Sequence, residues 1–455
     1  MVIGRNAVNS SICINQNSLT STECTILIWL LHEPPSGYLE GIEMRSLDGL
    51  ELLPEPEDHR ILTAIDPTAP GYPGKDYGIS EQDAKELRWP AGPIKEFLWP
   101  WGAVMFSIGT VFLIVAWPWV TAYLTPILPN SEWAYEESGI RELQSLGLDG
   151  SGIHVCIVDT GIDMSHPDFG HQSLVGFRDF YNEQHDNVRD VGEEYHGTLM
   201  SGILIANGTF RGAAPNIDLS VALALGPEGS SGQGDKVAQA IRWCRITERV
   251  DIISLSLGGE SGIGMTQHSA TAAAVQEALD VGIFVVAAAG NTGLDTDAND
   301  VSTPSSIEGV ISVGAQTKNG MVWSRSAYGS QSDPSTGLDR NFPNQKPEII
   351  APGVNIFSTI SMDYATNYGY SSGTSDSTVF VTGALALILQ LYGDEIAGED
   401  GMIDADEIDL VKRNLAVSAN RNNFDTNSHD SHFGYGKLDA MKWAESIAFE
   451  LNIDD

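Results

Sequence analysis

Short apolar runs alternate with longer, helix-like segments between residues 151 and 449. The strand-like runs are His154–Val158, Leu219–Ala224, Ile252–Leu257, Ile283–Ala288 and Val310–Val313. The helix-like runs are Gly197–Ala206, Lys236–Arg245, Gln267–Val281 and Ser377–Tyr392. The strand-like runs are mostly apolar and do not alternate with charged residues, which is typical of parallel strands covered on both faces. The pattern therefore predicts an α/β domain with a parallel sheet between layers of helices.

A different pattern precedes this domain. Residues 97–130 contain no charged side chain, and the most apolar part, Trp101–Tyr123, is long enough to cross a hydrocarbon layer of ~30 Å at ~1.5 Å per residue. Trp and Tyr side chains occur near both ends, as in the aromatic belts of membrane helices. We therefore predict one transmembrane helix within residues 97–128. A Trp-rich helix buried in a cytosolic protein is the alternative.

The flanks of this segment give an orientation. Residues 1–96 show no sustained periodicity and are predicted to form a mostly disordered tail. Residues 129–150 are predicted to link the membrane segment to the domain. The change in composition near residue 44 leaves two start codons open, Met1 and Met44. The bias of basic residues predicts a cytoplasmic tail and a single-pass protein of the cell membrane, with its domain outside the cytoplasm. The basic residues before the segment are Lys75, Lys85, Arg88 and Lys95, and the acidic residues after it are Glu132, Glu136 and Glu137.

The net charge of the chain limits which kinds of molecule it can bind. The 455 residues carry a formal charge of −37, with a pI near 4.4. Nucleic acid is excluded as a partner, because binding phosphates needs a basic surface. An acidic, soluble surface or adaptation to high salt are both compatible with this charge. Four cysteines do not make a disulfide scaffold, and Cys156 and Cys244 are expected to be small buried apolar residues.

Three polar residues stand at the edges of apolar elements. Asp159 ends a buried strand, His196 opens a helix, and Ser375 follows Gly373 and Thr374 at the start of another helix. Carboxyl ends of parallel strands and helix N-termini are where sites form in α/β folds. Taken singly, each has a structural alternative: a turn carboxylate, a helix-start histidine and an N-cap serine. Their joint occurrence favours acyl-transfer chemistry, with Ser375 as nucleophile.

These residues lie in motifs that resemble those of the subtilisin-like serine proteases (subtilases, peptidase family S8). The resemblance extends from about residue 149 to about residue 444. It implies a three-layer subtilisin-like fold and a triad of Asp159, His196 and Ser375, with Asn291 donating to the oxyanion. The motifs are DTGID at 159–163, HGT at 196–198, SGTS at 372–375, GAAP at 212–215, SLSLGG at 254–259, AAAGN at 287–291 and APGV at 351–354.

The resemblance also implies residues that line an extended peptide. These are Ser256, Leu257, Gly258, Gly259, Gly232, Ala289 and Gly290. The implied partner is a protein or peptide substrate, which would add to these segments as a strand. No cofactor is expected; calcium stays open as an alternative, but the loop at residues 207–211 is shorter than in calcium-binding subtilisins, so the family's loop site is not supported. The sequence carries no signal for an oligomeric state.

The chain departs from the family pattern beside the nucleophile. Asp376 and Ser377 replace the usual Met-Ala, and Val379 replaces a proline. We expect the Asp376 carboxylate to slow acylation or shift the pH optimum. The acidic stretch Gly393–Asp409 resembles half of an EF-hand but lacks the first carboxylate positions. It is therefore predicted to lead into a helix, Ala405–Ala416, with Asp406 and Glu407 in the first turn.

The sequence thus predicts a membrane-anchored serine endopeptidase that works through an acyl-enzyme. An inactive subtilase-like binding module, in which Asp376 marks lost catalysis, is the alternative.

Overall fold

The structure, a computed structural model, describes residues 94–124, 131–182, 187–228, 234–258, 265–295, 300–334, 336–362, 367–421 and 429–453. The predicted tail lies outside these ranges up to residue 93, as do residues 125–130 at the end of the predicted membrane segment. The chain divides into two units, with the boundary between Trp117 and Pro118.

Helix α1 is Ile94–Leu124, a run of 31 residues, or about 46 Å at ~1.5 Å per residue. Its described apolar side chains are largely exposed, with Phe106 77% and Phe112 70% accessible. Among the described residues, the helical run long and apolar enough to cross a membrane is Thr374–Asp400, but 67% of its most apolar window is buried inside the domain. Within α1, Val104–Trp117 counts as a shorter apolar run.

The domain alternates helices and strands, as the pattern of apolar runs predicts. Its helices are α2 (Glu132–Glu137), α3 (Ile140–Ser145), α4 (His196–Ile205), α5 (Gly234–Trp243), α6 (Met265–Leu279), α7 (Thr374–Ala397), α8 (Ala405–Ser418) and α9 (Ala440–Glu450). Its strands are β1 (His154–Asp159), β2 (Gly176–Asp179), β3 (Asp218–Leu223), β4 (Ile252–Leu255), β5 (Phe284–Ala288), β6 (Ile311–Gln316), β7 (Ile349–Pro352), β8 (Val354–Thr359) and β9 (Tyr368–Ser372). Short 3₁₀ turns occur at Pro167–Phe169 and Gly398–Asp400, and a π turn, Cys244–Glu248, extends α5.

Seven strands form one parallel sheet in the order β2-β3-β1-β4-β5-β6-β7. Every residue of β4, β5, β6 and β7 is buried, including those on alternate faces. A strand buried on both sides needs a layer on each face of the sheet. Helix α7 packs against β4 to β7 and against α4, whereas α5 and α6 pack against each other. The predicted α/β class is confirmed, and β8 and β9 add an antiparallel hairpin.

Residues 131–150, predicted as a linker, pack into the domain. Ala134, Tyr135, Ile140 and Leu143 are fully buried in the core. The Tyr135 hydroxyl donates to the carbonyl of Ile203 (3.3 Å), and its ring lies 4.9 Å from that of Phe380. The apolar face of this amphipathic stretch therefore completes the core behind α4 and α7.

The expectation that Cys156 and Cys244 are small buried residues is correct as to burial, but it missed that the two form a disulfide. Both are fully buried. Strand β1 and the end of α5 bring their Cα atoms to 5.9 Å, within the usual range for a disulfide. The two positions are 88 residues apart in sequence, so only the tertiary fold brings them together.

The acidic stretch after α7 does lead into a helix. Helix α8 begins at Ala405, as predicted, and the Asp404 side chain caps it by accepting from the backbone N–H of Asp406 (2.8 Å). Glu407 reaches back to the backbone N–H of Asp404 (3.0 Å) and completes a capping box. These carboxylates therefore serve a helix end. Helix α7 itself runs to Ala397, several residues into the acidic stretch.

Candidate active site

The carboxyl end of β1 places Asp159 in the interior. The residue is fully buried, and its Oδ1 accepts a hydrogen bond from the backbone N–H of Thr160 (2.7 Å). Oδ1 also accepts from Nδ1 of His196 (2.7 Å), the first residue of α4. The His196 side chain is 31% exposed, so the imidazole lies between a buried carboxylate and an open cleft. A proton on Nδ1 leaves Nε2 as the acceptor of the neutral ring.

Glycine at position 197 permits this approach. A Cβ atom there would lie 2.0 Å from the carbonyl oxygen of Gly161, in the turn after Asp159. Any larger residue would push the start of α4 away from the end of β1. Gly197 therefore lets the start of α4 pack closely against the turn after Asp159.

Asp190 ties the same two elements together, and sequence reasoning missed it. Its Oδ1 accepts from the Thr160 hydroxyl (2.7 Å), and its Oδ2 accepts from the N–H and the hydroxyl of Thr198 (2.8 and 2.6 Å). Burial raises the pKa of Asp190, although these hydrogen bonds oppose the rise. The carboxylate therefore holds the Asp159 turn against the helix that carries His196. The only sequence signal is an acidic residue six positions before HGT, and its partner Thr160 is 30 residues away.

Ser375 is the second residue of α7 and is 9% exposed. Its hydroxyl donates to the carbonyl of Ser256 (3.1 Å), whereas the Ser256 hydroxyl donates to the carbonyl of Ser375 (3.2 Å). In this resting arrangement the Ser375 hydroxyl is bonded to the residue that follows β4 and not to His196. Bonds between nucleophile and base are often formed only with substrate, so this arrangement is compatible with a nucleophilic role for Ser375.

The amide of Asn291 has a fixed orientation. Its Oδ1 accepts from both the backbone N–H and the hydroxyl of Thr374, each at 3.0 Å. Because a backbone N–H can only donate, the group facing it must be the oxygen, and Nδ2 is left to donate elsewhere. The Thr374 hydroxyl in turn accepts from the N–H of Gly290 (3.1 Å). Thr374 is thus a positioning residue that the sequence motifs did not single out.

Three carboxyl groups affect the charge of the imidazole. Burial lowers the pKa of His196, but the charge and hydrogen bond of Asp159 outweigh burial. With smaller contributions from Asp376 and Asp190, the pKa of His196 rises to about 9. Asp376 is 1% exposed, and burial raises its pKa to about 7, although the nearby charge of His196 and the hydrogen bond from Ser371 oppose the rise.

The imidazole, the Ser375 hydroxyl and the Asn291 amide line one cleft of about 590 Å³. His196, Asn291, Thr374 and Ser375 contribute to its wall, and so do the predicted substrate-binding residues Ser256, Leu257, Gly258 and Gly290. Gly290 has a φ of +108°, and a Cβ there would lie 2.2 Å from the Ser302 hydroxyl. Ala289 is not part of the wall: it is fully buried behind Gly290. Gly232 and Gly259 lie outside the described residues.

Within the described ranges, no group of three or more His, Cys, Asp or Glu side chains is arranged to hold a metal ion. The cleft instead combines a carboxylate–imidazole pair, a hydroxyl at a helix N-terminus and an oriented amide. A base, a nucleophile and a hydrogen-bond donor around one cavity can transfer an acyl group.

Comparison with known proteins agrees with this chemistry. Residues 150–436 match the model of the subtilase family of peptidases. The chain is 35% identical over 253 residues to the major intracellular serine protease of Bacillus subtilis, covering 54% of this chain and 71% of that protein. It is 34% identical to the B. subtilis serine protease AprX, over 56% of this chain and 62% of AprX. It is also 35% identical to subtilisin DY of Bacillus licheniformis, over 55% of this chain and 81% of that protein.

The matched region includes β1, α4 and α7, the elements that carry the three polar residues. A family match over more than half of the chain accompanies a parallel α/β fold and a cleft equipped for acyl transfer. The chain therefore belongs to the subtilase family and is a serine-type endopeptidase, a hydrolase that acts on proteins or peptides.

Proposed function

We propose that Asp159, His196 and Ser375 form the catalytic triad of this endopeptidase, with Asn291 in the oxyanion hole. The observation that carries the proposal is the 2.7 Å contact between the Asp159 carboxylate and the His196 imidazole, at the edge of the cleft that Ser375 and Asn291 also line. The chain order Asp, His, Ser is that of the subtilisin form of the triad, which supports the proposal.

The proposed reaction begins when the Ser375 hydroxyl turns from Ser256 towards Nε2 of His196. The imidazole takes the hydroxyl proton while Oγ forms a bond to the scissile carbonyl carbon. Asp159 stabilises the resulting imidazolium. The developing oxyanion accepts from Nδ2 of Asn291 and from the backbone N–H of Ser375, at the positive end of α7.

Collapse of this intermediate breaks the C–N bond, and His196 returns its proton to the leaving amine. Water then attacks the acyl ester with His196 again as base, which releases the new carboxyl terminus and restores the serine. All steps use side chains and backbone groups of this chain, so the proposed reaction needs no metal or cofactor. The substrate backbone would run as an added strand along Ser256 to Gly258.

The proposed location is the outer side of the cell membrane, with α1 as a single anchor and the tail in the cytoplasm. Two observations support it. The described apolar side chains of α1 are exposed, and a long exposed apolar surface favours a lipid environment. The Cys156–Cys244 disulfide favours an oxidising compartment, since such bonds are rare in the cytosol. Sodium carbonate extraction should leave the full-length protein in the membrane pellet, and its release would contradict the anchor.

The test of the triad is labelling of the full-length protein by a fluorophosphonate probe, which reacts with an activated serine. We expect wild type to be labelled and Ser375→Ala not to be. Ser377→Ala is the matched control, because Ser377 is a buried serine of the same helix turn whose hydroxyl bonds the Ala351 carbonyl (2.9 Å). A folded wild type that takes no label would refute the proposal and favour the rival reading of an inactive binding module.

A further inference from the structure

Asp376 occupies the first turn of α7, directly after the proposed nucleophile. Its Oδ2 accepts a hydrogen bond from the Ser371 hydroxyl (3.0 Å). Its Oδ1 is buried and has no hydrogen-bond partner among the described residues. An ionised carboxylate with an unpaired, buried oxygen is unfavourable. The surroundings therefore favour the neutral acid, although the positive end of the helix offsets part of the cost of ionisation.

The carboxyl lies beside the proposed oxyanion donors. A Cβ atom built on Gly373 would lie 3.4 Å from Nδ2 of Asn291, 3.6 Å from Oδ2 of Asp376 and 3.7 Å from the backbone nitrogen of Ser375. All three atoms are thus within contact distance of one point. A negative charge on Oδ2 would oppose the negative charge that develops on the substrate oxygen.

Charged and titratable groups approach this carboxyl from two other elements. From α4, His196 interacts with Asp376 and is itself held by Asp159 and Asp190. From α2, Tyr135 interacts with Asp376, and burial raises the pKa of this phenol, so the ring stays neutral. The Arg141 guanidinium lies over the Tyr135 ring, 4.2 Å from its centroid. His196 is therefore the group whose protonation depends most directly on Asp376.

We propose that Asp376 is a charge-tuning residue of the protease site: the enzyme works with this carboxyl neutral, and ionisation of Asp376 suppresses turnover. This inference rests on the proposed triad. A proton shared by the pair can reside on His196, with Asp376 ionised, or on Asp376, with His196 neutral. Only the second arrangement has both a free base and no anion beside the oxyanion. Asp376 thus sets the pH range of activity together with His196.

The experiment compares wild type with Asp376→Asn, full length in detergent, by the pH dependence of kcat and kcat/KM for fluorescent casein. We expect wild type to lose activity on the alkaline side as Asp376 ionises and Asp376→Asn not to, so that kcat/KM near pH 8 rises ~10-fold in the variant, because one pH unit above a pKa of about 7 leaves about a tenth of the carboxyl neutral. The matched control is Asp406→Asn, which removes the same charge from the exposed first turn of α8. It should leave the profile unchanged.

A second measurement does not depend on activity. In a Ser375→Ala background, the NMR titration of the His196 ring should have a lower midpoint when Asp376 is also changed to Asn. An unchanged midpoint overturns the proposal whether or not the protein hydrolyses peptides, and so does an alkaline limb that is the same in wild type and in Asp376→Asn. If the midpoint moves but neither wild type nor Asp376→Asn reacts with a fluorophosphonate, the proposed triad fails and the coupling of the two groups stands.

Discussion

A cluster of buried charged side chains at the start of β7 allows a test of how much buried ion pairs contribute to the stability of the domain. Nζ of Lys346 and Nζ of Lys412 both contact Oε1 of Glu348, at 2.7 and 2.9 Å. The three side chains are almost fully buried. Both ammonium groups also donate to the Val310 carbonyl, at 2.6 and 3.1 Å. Two positive charges thus share one carboxylate, and the cluster carries an excess positive charge away from water.

Lys346→Met should be tolerated at neutral pH. It removes the excess charge and leaves the Glu348–Lys412 pair intact, and replacing buried ionic groups by apolar ones is often neutral or stabilising. Glu348→Gln should instead lower the unfolding free energy by about 3–5 kcal/mol, because it leaves two buried ammonium groups without a counter-charge.

The difference between Lys346→Met and its parent should depend on pH. Burial lowers the pKa of Lys346 from 10.5 to about 7, although Glu348 opposes the shift. Between these two values the unfolded chain binds a proton that the folded chain does not, so Lys346 makes the parent more stable as pH rises. At ~1.36 kcal/mol per pH unit, the parent should gain about 3 kcal/mol over Lys346→Met between pH 7 and 9.

Urea unfolding at pH 6, 7.5 and 9 measures this, with every variant in a Ser375→Ala background to prevent autolysis. The reasoning is refuted if Lys346→Met is as unstable as Glu348→Gln at pH 6. It is refuted equally if the difference between Lys346→Met and its parent stays constant from pH 7 to 9.

Two further predictions concern the oxyanion amide and the disulfide. Asn291→Ala should lower kcat ~10²–10³-fold with little change in KM. Thr374→Val should lower kcat less, because it removes one of the two hydrogen bonds that orient the Asn291 amide. Steady-state kinetics test both, and an unchanged kcat in Asn291→Ala would show that the amide does not contact the oxyanion. Replacing Cys156 and Cys244 together by Ala should lower the unfolding free energy by about 2–4 kcal/mol, and dithiothreitol should bring wild type to the variant's denaturation midpoint. A reductant-insensitive wild type would contradict the bond.

The elements that the sequence predicted best are those with long apolar runs. The strand that ends at Asp159 and the helices that carry His196 and Ser375 are found within a few residues of their predicted bounds. Strand β2 was missed because it is short and half exposed. Strand β7 was missed because its four residues end in a proline, which reads as a break.

The site was predictable only as far as local motifs and family resemblance reach. Contacts between distant segments were not: Asp190 with Thr160, Thr374 with Asn291, and Cys156 with Cys244. Each depends on how the sheet brings loops together. The resting bond between Ser375 and Ser256 also has no sequence signal, because it depends on a side-chain rotamer.

The parallel sheet has a consequence for how the domain folds. Every pairing among its seven strands is parallel, so each pair of strands is joined by a crossover connection. Val155 of β1, for example, pairs with Leu219 of β3, which lies 64 residues later in the chain. The chain loses conformational entropy when it closes such a loop, before the two strands have formed their hydrogen bonds. This early cost slows folding, and the unpaired apolar strands stay exposed until the sheet is complete. Refolding from urea should therefore be slow and prone to aggregation. Conditions that oxidise Cys156 and Cys244 early should hold β1 near α5 and shorten that search.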